Sequence, residues 1–272
     1  MIAIFDSGFG GLTVLKPILK KIPQYDYVYL GDNARAPYGN HSRETIIKFS
    51  EEAVNFLFNK GAKLIIFACN TASSNALRYL QQKYLNGKEE QDRKILGVLI
   101  PIAEKAGKVS KNFRVGLVGT RATVNSKAYE SEIMKINPNI KVYSKACPLL
   151  VPIIEEGWQS KPEATSILKK YLRDIKSRNI DTLILGCTHY PIMTKTFKKL
   201  MGKKVNILDT GDIVAESLME YLERHPEIEK KLGKNGTRTF LTSDDPERMQ
   251  NFAEKILFTK ISKPQKVNIE LD

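Results

Sequence analysis

The feature that most limits how this chain can fold is the alternation of short, unbroken apolar runs with longer stretches of helical periodicity. Residues 2–5, 27–30, 63–68, 95–98, 114–118, 141–143, 182–185, 205–208 and 237–241 read as strands. Apolar residues at helical spacing mark 43–59, 71–84, 165–177, 213–222 and 246–256 as helices. The strands are continuous rather than alternating, as expected where helices cover both faces of a sheet. The pattern predicts an α/β protein with mostly parallel sheets. At 272 residues the chain suits two domains. The polar stretch 86–94, with Lys88, Glu89, Glu90, Gln91, Asp92 and Arg93, reads as a boundary or surface loop.

The chain echoes itself. Leu64 to Thr71 (Leu-Ile-Ile-Phe-Ala-Cys-Asn-Thr) and Thr182 to His189 (Thr-Leu-Ile-Leu-Gly-Cys-Thr-His) share one plan: an apolar strand, a small residue, a cysteine, then polar residues opening a helix. Residues 2–8 and 115–120 form a second such pair. In open α/β sheets ligands bind at the carboxyl ends of strands, where Cys69 and Cys187 both stand. A thiol at a helix N-terminus is expected to favour the thiolate. Asn70, Thr71, Thr188 and His189 add amide, hydroxyl and imidazole groups suited to a carboxylate, although Asn and Thr there would serve equally as helix caps.

The loop Asp6-Ser7-Gly8-Phe9-Gly10-Gly11 also follows an apolar run. The third glycine position of a dinucleotide fingerprint is Thr13, and no Gly-Lys-Ser/Thr follows as in a P-loop, so a nucleotide is not expected. Its glycines permit close backbone approach, and Asp6 could orient or exchange a proton with a neighbour; the plainer reading is a turn capped by Asp6 or Ser7. A zinc site from Cys69, Cys187 and His189 lacks Cys-x₂₋₄-Cys spacing, and a Cys-His hydrolase would leave Cys69 without a task. No metal is expected. Cys147, before Pro148 and an apolar stretch, reads as a small buried hydrophobe.

Lys and Arg total 43 against 30 acidic residues, a net charge of +13. The basic residues are scattered, the tightest groups being pairs such as Lys169-Lys170 and Lys203-Lys204. A solvated basic surface is the preferred reading over a nucleic-acid binder. The first apolar run ends at Asp6 without a basic flank or cleavage site, and no run is long enough to span a membrane, so a cytoplasmic protein with free thiols is expected.

Taken together, Asp6-Ser7-Gly8-Phe9-Gly10-Gly11, Gly31-Asp32 through Pro37-Tyr38-Gly39, Cys69-Asn70-Thr71-Ala72, Pro148 through Glu155-Glu156-Gly157, and Gly186-Cys187-Thr188-His189-Tyr190-Pro191 resemble the bacterial glutamate racemases. The resemblance runs in order from residue 6 to about 212. It implies two Rossmann-like, doubly wound domains related by a pseudo-twofold axis, with the active site in the cleft between them. Mapped onto this chain, one domain combines residues 1–95 with 208–272 and the other is 96–207.

The implied activity is cofactor-independent interconversion of L- and D-glutamate, the latter a building block of peptidoglycan. One cysteine acts as thiolate base and the other as thiol acid, Cys69 toward D-glutamate and Cys187 toward L-glutamate. Asp6 assists Cys69, and His189 with Glu155 assists Cys187. Asp6, Ser7, Tyr38, Gly39, Asn70, Thr71, Thr188 and His189 match substrate-holding positions. A homodimer is compatible with the resemblance.

Asn33 and Ala122 depart from the usual Ser or Thr and Gly, which leaves loop detail open. The chain begins at its first strand, without the extension of relatives that a peptidoglycan precursor activates, so no such activation is expected. The nearest rival is aspartate racemase or another racemase of the superfamily, and Thr188-His189-Tyr190-Pro191 favours glutamate. A non-enzymatic nucleic-acid binder would explain the charge but not the paired motifs.

Overall fold

The computed structural model describes residues 1–85 and 92–270. Among the described residues ten strands run in chain order: β1 (Ile2–Asp6), β2 (Tyr27–Gly31), β3 (Leu64–Phe67), β4 (Lys94–Gly97), β5 (Arg114–Gly119), β6 (Lys141–Ala146), β7 (Thr182–Gly186), β8 (Asn206–Leu208), β9 (Arg238–Thr242) and β10 (Gln265–Lys266). They form two sheets, ordered β10-β9-β2-β1-β3-β4 and β6-β5-β7-β8, with every pairing parallel. The first nine are the strands expected from the apolar runs. The tenth is a polar, exposed pair of residues on the sheet edge and carries no apolar signal.

The order β2-β1-β3-β4 repeats as β6-β5-β7-β8. The sequence echo falls on equivalent strands, β3 with β7 and β1 with β5. The fold is therefore two doubly wound α/β units of one plan, the first extended by β9 and β10 from the end of the chain.

Period-two geometry divides the apolar strands between cores on their two faces. Ile2 and Ile4 of β1 face a central core that also holds Val115, Leu117 and Ile184 from the second sheet. The helices Leu12–Lys21, Leu99–Val109 and Thr210–Arg224 supply Leu15, Ile102 and Leu218 to it, forming a layer shared by both sheets. Ala3 and Phe5 face the opposite way, under the helices Arg43–Asn59 and Leu77–Tyr84. Leu183 and Leu185 do the same beneath Pro162–Lys176 and Thr194–Met201. Each fully buried Ile or Leu contributes about 1.5–3 kcal/mol relative to exposure, so the shared layer holds the two sheets in register around the space between their strand ends.

One element differs from expectation. The helix expected over 71–84 is two, Asn70–Asn75 and Leu77–Tyr84, parted at Ala76. Asn75 Nδ2 donates to the Thr71 carbonyl at 2.9 Å and Ser74 Oγ to the same atom at 3.1 Å, and such side-chain bonds compete with the helical ladder. Of the polar stretch 86–94, residues 86–91 lie outside the described residues, and Lys94 begins β4. Among the described residues no helix is long and apolar enough to cross a membrane.

Candidate active site

Strand order reverses direction between β1 and β3 in one sheet and between β5 and β7 in the other, and ligands bind beyond the carboxyl ends of strands at such points. Residues from both sets of strand ends enclose one small cavity of about 30 Å³. Ser7, Tyr38, Gly39, Cys69, Asn70 and Thr71 come from the first unit, and Glu155, Cys187, Thr188 and His189 from the second. Asp6 alone among the expected site residues is not on the wall. It is fully buried behind it at the end of β1.

Cys69 is the N-cap of the short helix Asn70–Asn75, and its Sγ accepts the Ala72 N–H at 3.4 Å. Asn70 and Thr71 therefore lie inside the first turn and are not caps. Ser7 Oγ is 3.3 Å from Cys69 Sγ. The helix terminus was expected to favour the thiolate, but the opposite holds: burial, reinforced by the negative charge of Asp6, pushes the Cys69 thiol up to about 12. One turn of helix does not offset full desolvation. Burial also raises the Asp6 carboxyl, against the opposing pull of His189 and the Gly11, Gly8 and Thr188 hydrogen bonds.

Cys187 has different surroundings. No α-helix starts beside it; the chain makes a single 3₁₀ turn at Tyr190–Met193 before the helix Thr194–Met201. Its polar neighbour is the imidazole of His189, with Nδ1 4.0 Å from Sγ. The other ring nitrogen lies 3.0 Å from Glu155 Oε1. Burial opposes the imidazolium, but the Cys187 sulfur and the Glu155 carboxylate outweigh it and push His189 up to about 10. Glu155 is held below its ordinary value despite burial, by His189 first and Arg248 after it.

A family model for Asp/Glu/hydantoin racemases matches residues 14–218. The chain is 39% identical over 271 residues to a glutamate racemase of Geobacter metallireducens, covering 100% of this chain and 97% of the relative. It belongs to the Asp/Glu/hydantoin racemase family. Among solved structures, a glutamate racemase isoform from Bacillus anthracis superposes with a TM-score of 0.89 at 34% identity, covering 98% and 97% of the two chains. The Francisella tularensis glutamate racemase in complex with D-glutamate gives 0.88 at 35% identity, covering 99% and 97%.

In this member of the racemase family, two glycines explain how the units approach so closely. A Cβ on Gly10 would stand 2.4 Å from Thr188 Oγ1 and 2.5 Å from His189 Nδ1; one on Gly39 would stand 2.5 Å from Thr120 Cβ. Both are contacts across the cleft, so the glycine-rich loop serves protein packing here. Asp6 caps the turn itself, its Oδ2 accepting the Gly8 N–H at 3.0 Å, whereas the helix that follows has Gly11 as its N-cap without a side-chain bond. Thr13 Oγ1 donates to the Thr188 carbonyl at 2.7 Å and Thr188 Oγ1 to Asp6 Oδ1 at 3.3 Å, further stitching the units together.

Two features on the first unit's side bear on ligand recognition. Asn70 is buried, its Oδ1 accepting the Tyr129 hydroxyl at 2.6 Å, while Nδ2 has no protein partner. A buried amide donor without an acceptor costs free energy until an acceptor arrives. Asp32 was not singled out from sequence, though it lies within the Gly31-Asp32 motif. Fully buried, it takes hydrogen bonds from the Tyr38 hydroxyl, Arg35 Nε (2.7 Å) and Ser243 Oγ (2.8 Å), fixing Tyr38 against the cavity. Among the described residues no group of three or more His, Cys, Asp or Glu is arranged to hold a metal ion.

Proposed function

We propose that this protein racemises glutamate without a cofactor, interconverting the L and D enantiomers by proton transfer between two thiols. The observation that carries the reading is that equivalent strands of the two units, β3 and β7, each lead into a cysteine lining the same small cavity. Inverting a carbon requires removing its proton on one face and delivering another on the opposite face. Two acid/base groups on opposite walls meet that need. Cys69 serves D-glutamate with Asp6 behind it; Cys187 serves L-glutamate with His189 and Glu155. Full-length similarity to glutamate racemases favours glutamate over aspartate as substrate. D-glutamate formed this way would feed peptidoglycan assembly.

Recognition rests on donors aimed at carboxylates. The unpaired Asn70 Nδ2 gains an acceptor when the substrate binds, and Ser7, Thr71, Thr188, Tyr38 and Gly39 complete the wall. A cavity of about 30 Å³ has room for roughly one water. Glutamate enters only after the two units part, and their closure around it excludes water. That exclusion matters because the α-proton is far less acidic than a thiol. Donors around the α-carboxylate act most strongly in a dry site, where they stabilise the carbanion-like transition state. The two units are proposed to correspond to the lobes 1–95 with 208–272 and 96–207.

The test is α-proton exchange and racemisation of each enantiomer in deuterated water, comparing wild type with Cys69→Ser and Cys187→Ser. Both variants are expected to lose racemisation, by about 10³-fold or more. Full activity in either would exclude the two-thiol mechanism.

A further inference from the structure

The helix Pro246–Leu257 follows β9 and so belongs to the first sheet's side of the molecule. Two of its side chains, one turn apart, nevertheless reach the second unit, Arg248 at Glu155 and Phe252 at His189. Arg248 Nη2 lies 3.4 Å from Glu155 Oε2 and 3.9 Å from Glu156 Oε1. The remaining oxygen of Glu155 is the one that meets His189. Phe252 sets its ring edge-on to the His189 ring, with centroids 6.2 Å apart, and stacks on Phe9 at 5.4 Å. The Arg248 guanidinium covers the same Phe9 ring at 5.4 Å.

The start of the helix is itself fixed, because Asp245 accepts the backbone N–H groups of Glu247 and Arg248 at 2.9 and 3.0 Å. A second cavity of about 190 Å³ lies outside the first. Pro37, Val151 and Glu155 line both, and Phe9 and Arg248 line only the outer one. Arg248 thus meets Glu155 at the outer cavity, and Phe252 packs against the His189 ring. A carboxylate bonded through one oxygen alone can rotate, and an ion pair on the other oxygen fixes its plane. An exposed pair of this kind adds little to global stability, whereas small displacements of a proton-handling group cost rate steeply.

We infer that Arg248 is a positioning residue for the Cys187 half of the reaction, holding Glu155 and through it the His189 imidazole in the geometry that handles protons at Cys187. Phe252 backs the ring from the same helix. The inference rests on the two-thiol reading, whose own failure would show separately as activity retained in Cys187→Ser.

Enantiomers have equal free energy, so kcat/KM must stay equal in the two directions for any variant, and its loss cannot say which half is damaged. The α-deuterium isotope effect can, because label on L-glutamate is sensed at Cys187 and label on D-glutamate at Cys69. In Arg248→Gln, kcat/KM is expected to fall about tenfold, with the isotope effect rising for L-[α-²H]glutamate and falling for the D enantiomer. The alkaline limb of the pH profile moves to lower pH, because a less firmly held Glu155 supports the imidazolium less. Arg248→Lys restores most of each quantity. Isotope effects in Arg248→Gln that match wild type for both enantiomers would overturn the inference, including the case of a pure rise in KM.

Discussion

The two halves of the cavity share a strand order and each carries a thiol just after its third strand, yet the sulfurs sit in opposite electrostatic settings. Cys69 has the buried carboxyl group of Asp6 nearby and no cation among its hydrogen-bond partners, and its thiol is pushed up to about 12. Cys187 has an imidazole 4.0 Å away, itself braced by a carboxylate and favouring its protonated form. Two thiols in equal surroundings would have no preferred direction of proton transfer at rest. Here burial holds the first thiol protonated, while the second faces an imidazole that favours its protonated form, and the proposed two-thiol reaction would draw on that asymmetry.

The strongest way to break this comparison is to remove the assistant from each half in turn. His189→Asn is expected to lower kcat/KM by about 10²- to 10³-fold and to raise the isotope effect with L-[α-²H]glutamate. Asp6→Asn should give a smaller loss, with the rise appearing for the D enantiomer. Asp6 also touches the second half through Thr188, so some effect on both labels is expected. If both variants raise the effect on the same enantiomer, the division of labour between the halves is wrong.

The halves also differ in how their stability depends on pH. His189 is raised from 6.5 to about 10 in the folded protein. A group raised on folding stabilises fully below its unfolded value, and that contribution fades as pH climbs through the folded one. The window for His189 is therefore from about 6.5 to about 10. Cys69, raised from 9.0 to about 12, is lost over a higher window. Melting curves against pH should show His189→Asn flattening the lower window and Cys69→Ala the upper, each on the order of a few kcal/mol at most. A single shared window would mean the two groups titrate as one system.

Most of the architecture was legible because an unbroken apolar run bounded by polar turns is a strong local signal, and nine strands declared themselves that way. The break at Ala76 was not, since it depends on Asn75 and Ser74 competing for the Thr71 carbonyl, a choice that periodicity does not reveal. The cysteines, His189 and the polar residues beside them were legible from position and from the resemblance. Their charge states were not. Proximity to a helix start suggested a thiolate at Cys69, and only burial together with Asp6 reverses it. Arg248 and Phe252 carry no sequence signal linking them to the Glu155–His189 pair, because they reach Glu155 and His189 respectively from a helix some sixty residues beyond His189.

The smallest expected effect comes from the third cysteine, which isolates what burial alone does. Cys147 is buried and, like Cys69, pushed by burial up to about 12, so its thiol state alone would not set it apart. Its surroundings do. It is absent from the lining of the cavity, and the polar contact of its sulfur is the Lys145 carbonyl at 3.7 Å. What it gives the second half is its backbone: the Tyr190 hydroxyl, directly after His189, donates to the Cys147 carbonyl at 2.9 Å. Alanine keeps that carbonyl and removes only the sulfur. Cys147→Ala should therefore leave kcat/KM and both isotope effects as in wild type and cost about 1 kcal/mol in denaturant unfolding. A tenfold loss of racemisation in this variant would mean that the second half depends on a buried thiol away from the cavity, and that the contrast between Cys69 and Cys187 omits a third participant.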